Sequence, residues 1–295
     1  MSFARDERGR VRWTRFRRLS QLFFVAFFIA LPYANRQGVV EVLGTLASLQ
    51  LGPVSLVDPA VGVSSLLAGG AFTVTILTGM ILPVLLALVL GPVFCSWVCP
   101  WGLLSEMIDR LLRRQAQHIP GWLGRLRWGS LAAFLGLSAI LGLPLVATLS
   151  APRLITVLPL EIIFLGGATI GTLSLLSGLL VAELVLPRRL WCRALCPVGA
   201  LLVYLRTPWT LRVNWRSDTC DPKIERLKGR RICEWNLCPR FLESYSGCSN
   251  CGACIEACPG GPEPSLYFAF GRRPAPVDTS LLPVIYSAVD RGLEE

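Results

Sequence analysis

Histidine is nearly missing from this chain: His118 is the only one among 295 residues, and there are only three Met. A haem held by two of the chain's own histidines is therefore excluded, and any metal site must be almost entirely thiolate. His118 itself lies in a basic loop beside Pro120 and is assigned no role. Charge is also scarce. Only 16% of residues are Asp, Glu, Lys or Arg, where a water-covered globule uses about a quarter. With 53% hydrophobic residues and a mean hydropathy of +0.55, lipid is expected to cover part of the apolar surface. Acidic residues are outnumbered 19 to 29, yet nucleic acid is not an expected partner. From Arg206 onward, 12 Lys and Arg meet 11 Asp and Glu, so the surplus lies beside the apolar runs, where basic residues set membrane orientation.

Four apolar runs stand out: Leu19 to Ala34, Ala71 to Phe94, Gly129 to Ser150 and Glu161 to Leu186. The last three reach the roughly 20 residues that span a bilayer. Basic residues in the connections alternate 7, 1, 5, 1 and 3, as four helices with both chain ends in the cytoplasm would require. That pattern uses the N-terminal arginines as they stand, against a cleaved leader or a twin-arginine signal at Arg17-Arg18. Trp13, Trp97, Trp101, Trp128 and Trp191 read as interfacial anchors.

Eleven cysteines are present. An odd count in a lipid-rich chain fits metal ligation better than a disulfide framework. Cys248-Ser249-Asn250-Cys251-Gly252-Ala253-Cys254-Ile255-Glu256-Ala257-Cys258-Pro259 has the spacing of a bacterial ferredoxin run. Three thiolates two residues apart can wrap one cubane, Gly252 lets the loop approach it, and Cys258 points toward a neighbouring cluster. A zinc ribbon would need two separated Cys-x2-Cys pairs instead. The partner run, Cys220, Cys233 and Cys238-Pro239, is degenerate. If Cys238 is the remote fourth ligand, Cys248, Cys251, Cys254 and Cys238 complete one [4Fe–4S] cluster. Cys220, Cys233 and Cys258 then remain for a second, which needs a non-cysteine ligand, is a three-iron form, or is absent.

An internal repeat is visible. Phe94-Cys95-Ser96-Trp97-Val98-Cys99-Pro100 and Trp191-Cys192-Arg193-Ala194-Leu195-Cys196-Pro197 lie 97 residues apart. On a continuous helix, cysteines at i and i+4 share a face. Cys95, Cys99, Cys192 and Cys196 are thus candidates for a joint metal centre, for reversible disulfides, or for docking the ferredoxin module. The fold expected is an all-α membrane bundle of four transmembrane helices with a two-fold internal repeat, followed by a small α+β domain of the bacterial ferredoxin kind. Its divisions are a basic cytoplasmic tail (1–18), the membrane domain (19–204), the ferredoxin-like domain (205–273) and a C-terminal tail (274–295). Asp58, Glu161 and Glu183 are candidate proton carriers for a quinone site, an intramembrane carboxylate being a functional candidate by default.

These two Cys-x3-Cys-Pro motifs, the ferredoxin run and the outer segment Pro53-Val54-Ser55-Leu56-Val57-Asp58-Pro59 resemble the ferredoxin-type membrane proteins of the NapH/MauN group, which accompany periplasmic nitrate reductase and methylamine dehydrogenase systems. The resemblance implies a multi-pass protein of the cell inner membrane, both ends cytoplasmic. It would take electrons from quinol and pass them, with a periplasmic multi-cluster ferredoxin partner, to a periplasmic redox enzyme. The nitrate-reductase members carry two regular ferredoxin runs, and this chain's degenerate second run tilts the likeness toward the methylamine-utilisation members. A different class of function, a redox factor for maturation or assembly of a partner metalloenzyme, uses the same motifs.

Overall fold

The computed structural model describes residues 12–38, 42–69, 74–112, 121–186, 189–215, 247–257 and 266–271. Its helices in chain order are α1 (Trp13–Arg36), α2 (Pro59–Leu67), α3 (Val74–Leu90), α4 (Phe94–Trp97), α5 (Pro100–Leu111), α6 (Gly121–Leu141), α7 (Leu145–Leu149), α8 (Ala151–Leu165), α9 (Ile170–Val185), α10 (Pro197–Tyr204) and α11 (Ala253–Ala257). A single π-helical turn occupies Trp191–Leu195. Between α1 and α2, β1 (Val42–Gly44), β2 (Ser48–Leu51) and β3 (Val54–Val57) form an antiparallel meander, Ser48 opposite Val57. Later β4 (Arg212–Trp215) pairs antiparallel with β5 (Leu266–Ala269), Val213 opposite Phe268.

The expected four membrane-spanning helices are not found. Among the described residues no helix is long and apolar enough to cross a membrane. Each apolar run is diluted by charge or cut by glycine. The first lies inside α1, which also holds Arg15, Arg17, Arg18 and Arg36. In the second, α3 has only 17 residues, and Gly91 follows at φ +75°, a left-handed conformation that suits glycine. The third shares α6 with Arg125 and Arg127, and Gly142 at φ +64° precedes the short α7. The fourth is split, α8 ending at the left-handed Gly166 and Thr169 capping the 16-residue α9. The outward faces remain apolar all the same: Leu77, Ile81, Leu85, Ile140, Ile170 and Val185 are exposed.

Glu161, read from the sequence as a candidate proton carrier, is tied into that split. It accepts from the Thr169 backbone N–H at 2.9 Å and from the Thr172 hydroxyl at 2.7 Å, closing the α8–α9 turn.

The repeat has a common backbone, but not the one its spacing suggested. Cys95 sits on α4 and Cys192 on the π turn, while Cys99 and Cys196 are extended, at ψ 119° and 112°. Proline drives its predecessor out of the α region. Pro100 and Pro197 therefore break the helix after each second cysteine and open α5 and α10 at their first positions. Neither pair lies on one continuous helix.

Two buried ion pairs join the parts around α5. Arg17 Nη2 donates to Glu106 at 2.7 Å, and Arg189 Nε donates to Asp109 at 3.1 Å, with all four side chains at most 5% exposed. Arg18 and Arg110 add to the charge on Glu106. Several arginines that the sequence offered as orientation signals thus serve inside the fold. Removing one member of a buried pair costs about 3–5 kcal/mol. Glu106→Gln is accordingly expected to lower Tm by several degrees in thermal unfolding, whereas Met107→Gln, at an exposed neighbouring position, is expected to leave it unchanged.

Candidate iron–sulfur and thiol site

The ferredoxin run begins on a loop that is pinned along its length. Cys248, Cys251 and Cys254 are in no disulfide and are exposed by less than a tenth. Asn250, at φ +52°, donates to the carbonyls of Leu90 (2.9 Å) and Leu211 (2.7 Å), and its own carbonyl accepts from Trp97 Nε1 at 3.2 Å. Ser249 and Ser96 share a hydroxyl–hydroxyl hydrogen bond. Glu256, on α11, accepts from the Thr14 backbone N–H at 2.8 Å and from the Thr14 hydroxyl at 2.6 Å, so it caps the start of α1 with a carboxylate. Gly252, at φ +75°, lies against Trp13; a Cβ there would meet the Trp13 Cβ at 2.7 Å. The loop is thereby fixed onto Ser96 and Trp97, the residues between Cys95 and Cys99.

Beneath it, Cys95, Cys99, Cys192 and Cys196 line one cavity, together with Arg17, Gln21, Trp101 and Trp191. Burial raises all four thiols: Cys99 to about 12, Cys196 to about 11, Cys95 and Cys192 well above their ordinary range. Each would feel the charge of the others, which places them in one electrostatic neighbourhood. The backbone N–H groups of Gly102 and Trp101 pull Cys99 the other way, as those of Gly199 and Val198 do Cys196, from beyond the reach of a full cap hydrogen bond. The Arg127 guanidinium lies within electrostatic reach of Cys95, Cys196 and Cys192, and its Nε donates to the Arg193 carbonyl at 2.8 Å. Asp58 lies within reach of Cys95, Cys99 and Cys196, and Glu183 of Cys192.

A family of 4Fe–4S binding domains matches residues 72–120 and 168–215, the segments that hold the two Cys-x3-Cys-Pro motifs. The methylamine utilization ferredoxin-type protein MauN of Methylobacillus flagellatus is 31% identical over 254 residues, 85% of this chain and 77% of its own length. The chain belongs to the NapH/MauN family of ferredoxin-type proteins. The ferredoxin-type protein NapH of Haemophilus influenzae is 30% identical over 84% of this chain and 87% of its own length. A putative electron transport protein of Escherichia coli, YccM, is 31% identical over 60% of this chain and 51% of its own length. No solved structure matches.

This NapH/MauN-type protein is an iron–sulfur electron-transfer protein carrying [4Fe–4S] clusters. The residues present fit that cofactor. Three buried thiols at ferredoxin spacing flank a left-handed Gly252. Among the described residues no group of three or more His, Cys, Asp or Glu is placed to hold a metal ion. A cubane asks for no such convergence, because each of its irons takes one thiolate. Cys220, Cys233, Cys238 and Cys258, like His118, lie outside the described residues.

Several contributors were missed at the sequence level. Trp101 is 1% exposed and Trp191 lines the cavity, while Trp13 and Trp97 hold the loop; of the five expected anchors only Trp128, 41% exposed, faces outward. Gln21 and Arg17 gave no signal beyond a basic, apolar helix. The Cys-Pro pairs did carry a readable one, since a cysteine before proline at a helix start is pre-set as an extended N-cap.

Gly252→Ala is expected to cost at least about 1–2 kcal/mol from its left-handed backbone, plus the clash with Trp13, and to lower the iron retained after anaerobic gel filtration. Gly38→Ala, at φ +70° with nothing within 4 Å, carries the backbone cost alone and is expected to keep its iron. Asp58 supplies a pH dependence. Its carboxyl caps α2 by accepting from the Ala60 and Val61 N–H groups, and burial lifts its pKa from 3.8 to about 6. The folded chain therefore binds this proton more tightly than the unfolded chain. The stabilisation is full below about pH 4 and is lost as pH rises through 6. Asp58→Asn, which can still cap, is expected to gain about 1–2 kcal/mol over the native protein above pH 6 and nothing near pH 4, as read in unfolding at the two pH values.

Proposed function

We propose that this protein takes electrons from quinol and relays them singly toward a periplasmic redox enzyme, of the methylamine-utilisation or nitrate-reductase kind, through a multi-cluster ferredoxin partner. The observation that carries the reading is the docking of the cysteine loop onto the first Cys-x3-Cys-Pro repeat, through Ser249 to Ser96 and Asn250 to Trp97. It sets the buried ferredoxin thiols against the helical body that carries the first repeat. The names of the relatives, methylamine utilization for one and NapH for another, support the two kinds of partner system.

In this reading Cys248, Cys251 and Cys254 hold one cluster, with Cys238 as the remote fourth ligand, and Cys258, Cys233 and Cys220 serve a second. A bound [4Fe–4S] cluster supplies a one-electron couple. Quinol gives up two electrons and two protons on becoming quinone, so each turnover needs two successive single transfers and two proton acceptors. Asp58, with its raised pKa, and Glu183 lie within electrostatic reach of the cavity's thiols and suit proton uptake. The protein's place is the inner membrane, where lipid covers the exposed apolar faces of α1, α3, α6 and α9, such as Phe23, Leu77, Ile140 and Ile170.

Anaerobically purified protein, oxidised and then mixed with a reduced short-chain quinol, is expected to bleach its visible iron–sulfur absorbance and show a reduced-cluster EPR signal. Intact clusters that the quinol leaves oxidised, while dithionite reduces them, would overturn the quinol reading in favour of a maturation factor.

A further inference from the structure

We propose that Cys95, Cys99, Cys192 and Cys196 jointly bind one further [4Fe–4S] cluster, two thiolates coming from each repeat. The family match places 4Fe–4S binding on each repeat segment separately; the geometry assigns a single site shared between them. The inference does not depend on quinol being the electron donor.

Four observations converge. All four cysteines are free and line the same cavity, each within electrostatic reach of the others. The backbone N–H groups of Gly102 and Trp101 approach Cys99, and those of Gly199 and Val198 approach Cys196, as N–H groups do the sulfurs of a cluster. The cavity is also ringed by buried donors left without an acceptor: Trp101 Nε1, Trp191 Nε1, Ser105 Oγ and Gln21 Nε2. Gln21 is 0% and Trp101 1% exposed. A buried unpaired donor costs about 1–3 kcal/mol, and cluster sulfides are acceptors that N–H groups tune. Finally, a cubane with four thiolates carries a net charge of about −2, and the Arg127 guanidinium lies within electrostatic reach of three of the four sulfurs.

The repeat explains why two pairs suffice. In each, the first cysteine sits on a short helical turn and the second is extended before proline, so the two halves present thiols from matching backbones. The site also adjoins the ferredoxin loop. Ser96 and Trp97, within the first pair, bond Ser249 and Asn250, so an electron entering one set of thiolates has a contact path to the other.

The test uses the full chain purified without oxygen. Iron, acid-labile sulfide and EPR of the dithionite-reduced protein are compared among the native protein, Cys99→Ser, Cys196→Ser and the double variant. Because one centre is shared, either single change and the double are each expected to lose the same EPR signal and about four iron and four sulfide per chain, with the signal of the loop cluster retained. Should the double variant not be recovered, Trp191→Phe decides: it leaves every thiol in place and is expected to keep the full iron content while moving one midpoint potential to a more negative value. Unchanged iron and signals in the cysteine variants, an unmoved potential in Trp191→Phe, or mass-spectrometric detection of a disulfide or zinc on these four cysteines would overturn the proposal.

Discussion

Seven cysteines occur among the described residues, none of them in a disulfide, and the surroundings of the four in the Cys-x3-Cys-Pro motifs oppose a bare thiolate. Taking a charged sulfur out of water is unfavourable unless positive charge, a metal or N–H donors replace the lost hydration. Burial, the largest cause, leaves Cys99 and Cys196 raised to about 12 and about 11. Yet the groups gathered around the thiols are those a thiolate-bound cluster would use: the amides opening α5 and α10, the Arg127 guanidinium, and indole and amide donors with no acceptor. That compensation between buried sulfur and convergent donors governs where the helices break, which arginines lie inside, and where the loop docks.

The helix breaks follow from it directly. Pro100 and Pro197 turn Cys99 and Cys196 into extended residues at helix starts, so each second sulfur meets N–H groups rather than carbonyls. Gly102 and Gly199, three residues on, permit the close return. A Cβ at Gly102 would lie 2.6 Å from the Cys95 carbonyl oxygen. The Arg17–Glu106 and Arg189–Asp109 pairs then lock α1 and the entry to the second repeat onto α5. Arg17 and Arg189 both line the cavity, so the groups that tie the fold together also shape its site.

The chemistry was more legible in the sequence than the architecture. Cysteine spacing is a local property, and a ferredoxin run or a Cys-x3-Cys-Pro repeat can be read without knowing the fold. Helix length is not local in the same sense. The four apolar runs looked continuous by hydropathy, but Gly91, Gly142 and Gly166 adopt left-handed conformations that end or cut them, and hydropathy gives glycine no such role. The expected i and i+4 pairing failed for a reason the sequence did contain, namely the proline after each second cysteine. What no sequence pattern supplied was the convergence of Gln21, Trp101 and Trp191 on one cavity, with Arg127 in electrostatic reach of its thiols, since these residues lie far apart in the chain.

Iron in this protein is held to be sulfur-bound and cubane, gripped by buried cysteines. Mössbauer spectroscopy of the full chain, grown on ⁵⁷Fe and purified without oxygen, reads that state for every iron atom at once. The account predicts that essentially all iron appears as the paired, spin-coupled doublets of [4Fe–4S] centres, with one labile sulfide for each iron. Iron in isolated high-spin sites, or a protein that holds zinc and no sulfide, would contradict it.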